Sequence, residues 1–193
     1  MNIIYNCKNK IDDYWKMNKL LKQEIKGPIT LNELLLFFLL VGNIAKDTDI
    51  IEVGSYKGSS AIAMATGLSI GAKLYSIDIY IGLENKPEDT YQIFLQNIQR
   101  HNFNDIIVPF IGTSKEFVEH YNIRAGLIFI DGSHLYEDVK KDFDLLFPML
   151  VKNGFLIMHD IHWDGPGRVF KENNDKFSES YKVDKKIGIG IKG

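Results

Sequence analysis

Asp49–Ser69 reads DIIEVGSYKGSSAIAMATGLS. Its first six residues are an apolar run with β-branched side chains, which predicts a buried strand over 49–54. Gly54 and Gly58 then frame a tight turn, and a run of small residues from Ser59 predicts a helix over 59–69. A strand, a glycine turn and a close-packed helix form the first half of a parallel α/β unit.

The same alternation continues on both sides. Thr30 and Glu33 make a T-x-x-E capping box ahead of LLLFFLLV, predicting a helix over 31–45. Downstream, KLYSID (73–78), DIIVPFIG (105–112), LIFID (127–131) and GFLIMHD (154–160) read as strands. Between them, 88–101, 114–121 and 136–150 read as helices. These strands lack polar alternation, as strands buried on both faces do. Pro109 places 105–112 at a sheet edge. After a helix from Gly167 to about Phe177, SYKVDKK and IGIGIKG read as a hairpin turning at Asp184–Lys186. The expected fold class is α/β, a Rossmann-like doubly wound, mostly parallel sheet that ends in an antiparallel hairpin. One domain over 1–193 is expected, with an N-terminal helical cap (1–47) on a core (48–193).

The bulk numbers agree with one soluble domain. The chain has 193 residues, 45% of them hydrophobic, and 23 basic against 25 acidic residues give a formal charge of -2. Such a balance provides no strong field for nucleic acid or an anionic membrane. The single cysteine, Cys7, excludes an internal disulfide framework and is compatible with the cytoplasm. The N-terminus carries charges where a signal peptide needs its apolar stretch. Leu34–Val41 is far short of the roughly 20 residues that span a bilayer. An amphipathic helix is expected over Ile11–Ile25. The apolar N-terminal helix suits either its own sheet or a partner subunit, so a homo-oligomer stays open.

In open α/β sheets, ligands bind beyond the carboxyl ends of the strands. The turn after the first strand is G-x-x-x-G. It matches neither the G-x-G-x-x-G dinucleotide fingerprint nor the phosphate loop G-x-x-x-x-G-K-[ST]. With Glu52 beside it, the turn suits a nucleoside with a cationic end and no phosphate. Asp78, at the end of the next strand, suits a bidentate grip on ribose hydroxyls. A plain turn cap is the alternative for Asp78.

Two later strands each stop on an acid near a histidine: IDGSH (130–134) and MHDIHW (158–163). If those strands are neighbours, Asp131 and Asp160 converge at one mouth, where a cation or a proton must separate them. Oxygen donors suit Mg²⁺, and His159 would favour a softer divalent metal. His159 either joins the metal site or turns away, since adjacent strand residues face opposite ways. His134 is a candidate base, because histidine changes charge near neutral pH; capping the following helix or packing on a cofactor is its alternative. Glu137, Asp138, Lys140, Lys141 and Asp142 read as a solvated helix face.

Five pieces resemble the class I S-adenosylmethionine-dependent methyltransferases, in the branch of small O-methyltransferases related to macrocin O-methyltransferase and the cephalosporin-hydroxylase-like proteins. They are IIEVGSYKGSSAIAMA, YSIDIY, PFIGTSKEF, LIFIDGSHLYEDVKKDFDLLFPMLVKNGFLIMHDI and IGIGIK, in family order. The resemblance implies a seven-stranded sheet with an antiparallel last strand. It also implies S-adenosylmethionine as cofactor: Glu52, Gly54, Ser55, Tyr56, Gly58 and Ser59 around its methionine part, Asp78 on the ribose, and Ile79, Thr113 and Ser114 at the adenine. Many relatives carry an acid where this chain has Thr113. By the same resemblance Asp131 lies near the cofactor and, with Asp160 and His159, holds a divalent metal such as Mg²⁺. The acceptor is expected to be a small-molecule, sugar, polyketide-like or glycan hydroxyl, under a lid from the first 45 residues or from 80–90. A non-catalytic nucleoside-binding or assembly protein, or a hydroxylase-like relative, is the competing expectation.

Overall fold

The structure, a computed structural model, describes residues 28–83 and 86–193. The helix expected over Ile11–Ile25, Cys7, and the part of the expected cap before Pro28 lie outside the described residues.

Strands β1 (Asp49–Val53), β2 (Leu74–Asp78), β5 (Ile107–Ile111), β6 (Ala125–Ile130), β7 (Leu150–Met158), β8 (Phe177–Val183) and β9 (Ile187–Lys192) form one sheet. Its order is β5-β2-β1-β6-β7-β9-β8. The first five strands in that order run parallel, and β9 is antiparallel to both β7 and β8. A separate two-residue ribbon pairs β3 (Gly82–Leu83) with β4 (Lys86–Pro87), which the sequence pattern does not announce. Pro109 sits on the edge strand β5, where its missing N–H costs no ladder bond. The last hairpin turns through Asp184 and Lys185, both at positive φ.

Six helices cover the two faces among the described residues. Helices α1 (Leu31–Val41), α2 (Ser59–Gly67) and α3 (Tyr91–Arg100) pack on one face; α4 (Ser114–His120), α5 (Tyr136–Leu146) and α6 (Asp164–Glu172) pack on the other. Strand β6 shows why both faces must be covered. Leu127 and Phe129 enter the core under α1–α3, while Ile128 and Ile130 enter the core under α4–α6. All four are apolar and buried, so the period-two alternation of apolar and polar residues vanishes. Helix α2 is buried nearly all round, and a Cβ on Gly67 would lie 2.9 Å from the Phe38 carbonyl oxygen. Its small residues let α1 and α2 approach this closely.

Several boundaries differ from the sequence pattern. Helix α1 stops at Val41 before Gly42. Helix α5 stops at Leu146 because Pro148 ends the α-helical ladder, and a short 3₁₀ turn, Phe147–Met149, leads directly into β7. Helix α6 begins at Asp164 instead of Gly167. Pro166 lies in its first turn, where N–H groups have no helical partner. No helix among the described residues is long and apolar enough to cross a membrane.

Candidate active site

Strand β1 delivers Glu52 and the turn Gly54–Gly58 to the carboxyl edge of the sheet. Gly54 (φ +86) and Gly58 (φ +88) adopt left-handed backbone, and so does Tyr56 (φ +47) between them. The turn is fastened from below by Asp78. Its Oδ2 accepts from the N–H groups of Ser55 (2.7 Å) and Tyr56 (2.8 Å), and its Oδ1 accepts from Tyr80 N–H (2.7 Å). Asp78 is therefore a clamp on the turn before it is a ligand for anything else, with Oδ1 keeping capacity for another donor. Ile79, directly after it, is 52% exposed and offers an apolar surface beside that acid. No side chain caps α2, so the positive end of that helix opens toward the turn.

Glu52 lies deeper than expected. It is 0% exposed; Ser60 donates to Oε1 (2.5 Å) and Ser76 donates to Oε2 (2.6 Å). Burial pushes its pKa up to about 7, with hydrogen bonds from Ser60, Ser76 and Ser55 opposing and the Asp78 charge adding to the rise. An acid whose folded pKa lies above its unfolded value takes up a proton on folding. The fold then loses stability as pH rises from 4.5 through about 7. Glu52→Gln is expected to match the wild type near pH 4.5 and to exceed it at pH 8, by on the order of 3 kcal/mol. Thermal unfolding across that range is the check. Parallel pH slopes for the two proteins would remove the buried-acid account.

Tyr56 and Lys57 reach outward together. The Tyr56 hydroxyl donates to Glu88 Oε1 (2.7 Å), and Lys57 Nζ lies 2.8 Å from the same oxygen. These contacts tie the turn to the segment that follows the small ribbon. Thr113 and Ser114 serve local structure. Thr113 caps α4 in a reciprocal box with Glu116, and the Ser114 hydroxyl donates to Asp142 Oδ1. Asp142, expected on a solvated face, is instead part-buried against Ser114, and burial raises its pKa.

Asp131 and Asp160 follow the neighbouring strands β6 and β7, in register at Ile130 and Met158. The Asp131 N–H donates to the Val53 carbonyl (2.8 Å). A Cβ on Gly54 would collide with the Asp131 carbonyl oxygen and lie 2.7 Å from Gly132 N. The glycine turn and the acid mouth are thus joined backbone to backbone. Asp160 takes left-handed backbone (φ +51), and Trp163 N–H donates to its carbonyl.

The side chains there form one cluster. Asp131, His134 and Asp160 each present a ligand atom, all within 4.8 Å of one another. His134 Nε2 lies 3.2 Å from Asp160 Oδ2, and its ring stacks on Trp163 at 5.0 Å between centroids. Ser133 serves the start of α5, accepting from Leu135 N–H (3.1 Å) and donating to Asp138 (2.8 Å); the His134 ring is directed elsewhere. Trp163 is 54% exposed, Leu135 is exposed, and His162 Nδ1 lies 3.7 Å from Asp160 Oδ1.

His159 points the other way along its ring. Its Nε2 donates to Glu33 Oε1 (3.1 Å), while Nδ1 lies 3.1 Å from Asp131 Oδ1 and 3.4 Å from Asp160 Oδ2. Burial disfavours its charge, but the three surrounding carboxylates raise its pKa to about 12. The same contacts pull Asp160 down to about 2, while burial raises Asp131. The sequence reading places Glu33 only as a helix cap. Its role at this mouth spans 126 positions and leaves no local signal.

A family profile described as methyltransferase domain matches residues 51–161. An uncharacterized protein of Acanthamoeba polyphaga mimivirus is 27% identical over 138 residues, 65% of this chain and 59% of its own length. The chain therefore spans about three fifths of that curated relative. Among solved structures, the O-methyltransferase NovP superposes with a TM-score of 0.78 at 15% identity, over 94% of this chain and 99% of that one. The O-methyltransferase from Bacillus cereus in complex with SAH gives 0.67 at 17% identity, over 94% and 91%. At these identities the superpositions show a shared fold.

Proposed function

The chain belongs to the methyltransferase domain family, and from that premise we propose that it transfers a methyl group from S-adenosylmethionine to a hydroxyl of a small molecule. The observation that carries this reading is the backbone union of Gly54 with Asp131. It sets a nucleoside-type turn and a proton-handling cluster against each other at one mouth.

S-adenosylmethionine supplies an electrophilic methyl carbon on a sulfonium. The residues fit that group. The uncapped end of α2 favours its carboxylate, the spare capacity of Asp78 Oδ1 suits a ribose hydroxyl, and Ile79 offers the adenine an apolar face. Glu52 supports the turn from beneath, through Ser60 and Ser76.

Asp131, His134 and Asp160 also fit a divalent ion, being two carboxylates and an imidazole with converging donor atoms, and the imidazole favours a softer ion than Mg²⁺. Such an ion would make an acceptor hydroxyl more acidic. His159 already turns Nδ1 toward the two acids while Nε2 stays on Glu33, and it would join that set only by giving up the Nδ1 proton. In the residues' own chemistry, Asp160 accepts from His134 Nε2–H, orienting the ring and stabilising its charge, and Nδ1, the nitrogen that Asp160 does not engage, takes the acceptor proton. Trp163 and Leu135 supply an apolar wall for the acceptor, whose hydroxyl sits on a sugar, a polyketide-like ring or a glycan.

Transfer of labelled methyl from S-adenosylmethionine to a panel of such acceptors tests the proposal. His134→Ala is expected to lower kcat about 10²-fold or more, with cofactor affinity within about twofold of wild type. An unchanged rate would remove His134 from the mechanism. EDTA together with Asp160→Ala tests the ion: activity untouched by both would exclude a metal role.

A further inference from the structure

We infer that Glu33 is a positioning residue of this site, supplied by α1, which fixes the His159 ring so that its Nδ1 edge lies between Asp131 and Asp160. The inference rests on reading this mouth as the acceptor side of the methyl transfer.

Glu33 has two tasks, and only one belongs to its helix. Its Oε2 accepts from Thr30 N–H (2.6 Å), and Thr30 Oγ1 accepts from Glu33 N–H (3.4 Å), which completes the capping box. A capping box needs no burial, yet Glu33 is only 7% exposed, and burying a carboxylate without a partner is costly. The second oxygen, Oε1, takes the N–H of His159 Nε2 at 3.1 Å. The capping bond to Thr30 fixes the carboxylate, and the carboxylate fixes the imidazole. Phe129 meets the imidazole ring edge-on at 6.3 Å and is backed by Phe37 of α1 at 4.7 Å.

The ring so held has one free edge, and two acids lie on it. Asp131 and Asp160 belong to different strands and repel when both are ionised. The Nδ1 edge, 3.1 and 3.4 Å from them, offsets that repulsion. His159 is also tied to β6 through its N–H to the Ile130 carbonyl (3.1 Å), and it precedes Asp160 at its left-handed φ. A rotated imidazole would therefore displace Asp160, and with it the His134 contact at 3.2 Å.

Glu33→Gln and Thr30→Ala separate the two tasks. Glutamine is accepted in a capping box. Its single acceptor oxygen, however, cannot serve both Thr30 N–H and His159 Nε2. Glu33→Gln is expected to lower kcat about tenfold or more, with KM for S-adenosylmethionine close to wild type and a lower Tm, because one N–H loses its acceptor. It should also lose the low-field proton resonance of the His159 Nε2–H in NMR spectra. Thr30→Ala is expected to lower Tm while keeping that resonance and the low-temperature kcat. Wild-type kcat and resonance in Glu33→Gln, or two variants that differ from wild type only in Tm, would overturn the inference. If the wild type methylates no acceptor, the functional reading fails by itself. The resonance still decides: lost in Glu33→Gln alone it supports the clamp, and retained it refutes it. Should Glu33→Gln not fold, Glu33→Asp, which withdraws the carboxylate by one methylene, takes the same readouts.

Discussion

Gly54→Val is expected to lower the unfolding midpoint by about 10 °C or more and to abolish S-adenosylmethionine binding. Gly54 holds φ +86, where a β-branched residue is strained. A Cβ there would also overlap the Asp131 carbonyl group and approach Gly132 N. Both obstacles are backbone of the turn that follows β6, so neither yields as a side chain would. Left-handed strain of about 1–2 kcal/mol and overpacking of about 1–3 kcal/mol together account for that shift in a chain of this size. Relief requires the β1 turn to part from the end of β6, which separates the cofactor turn from the acids. Gly58→Ala is the control. Its φ is equally left-handed, but its Cβ would meet side chains and no backbone, the Phe94 ring at 3.0 Å and Ile98 at 3.9 Å, so its loss should be smaller. Thermal unfolding and calorimetry on the three proteins check this; equal losses would mean that the contact with Asp131 does not matter.

Asp78→Ala carries the second large effect. It removes the acceptor of three backbone N–H groups, those of Ser55, Tyr56 and Tyr80, and Ser55 and Tyr80 are buried. Leaving buried donors unpaired costs about 1–3 kcal/mol each. Removing the Asp78 charge returns a little, because that charge also disfavours ionised Glu52. The turn is expected to lose its shape, and cofactor affinity to fall about 10²-fold or more, since the clamp and the ribose acceptor are lost together. Asp78→Asn keeps one acceptor oxygen and should fall between wild type and Asp78→Ala. An alanine variant with wild-type stability and affinity would dismiss both roles.

The fold was legible because its signals are local and period-based. The β1–α2 unit, Pro109 at an edge and the closing hairpin each follow from a few adjacent residues. At two boundaries that moved, a proline acted through helix geometry: Pro148 ended α5 early, and Pro166 was absorbed into the first turn of α6. The site was legible as far as its strand ends go, since IDGSH and MHD announce acids at a sheet edge and β6 and β7 proved to be neighbours. Side-chain direction was not. Glu52 and Ser114 look like ligand-facing groups in the sequence but spend their polar atoms on Ser60, Ser76 and Asp142. Glu33 looks like a cap and reaches a histidine in another element, a pairing set by how α1 packs on the sheet and not by any pattern near residue 33.

The central claim is that the turn from Gly54 to Gly58, clamped by Asp78, receives S-adenosylmethionine. Calorimetric titration of that compound into the wild type and Asp78→Asn tests it without knowledge of the acceptor. One site per chain is predicted, with a dissociation constant of about 1–100 µM in the wild type and clearly weaker binding in the variant at unchanged secondary structure. No heat of binding by the wild type up to about 1 mM cofactor, or equal affinity in the two proteins, would contradict the account.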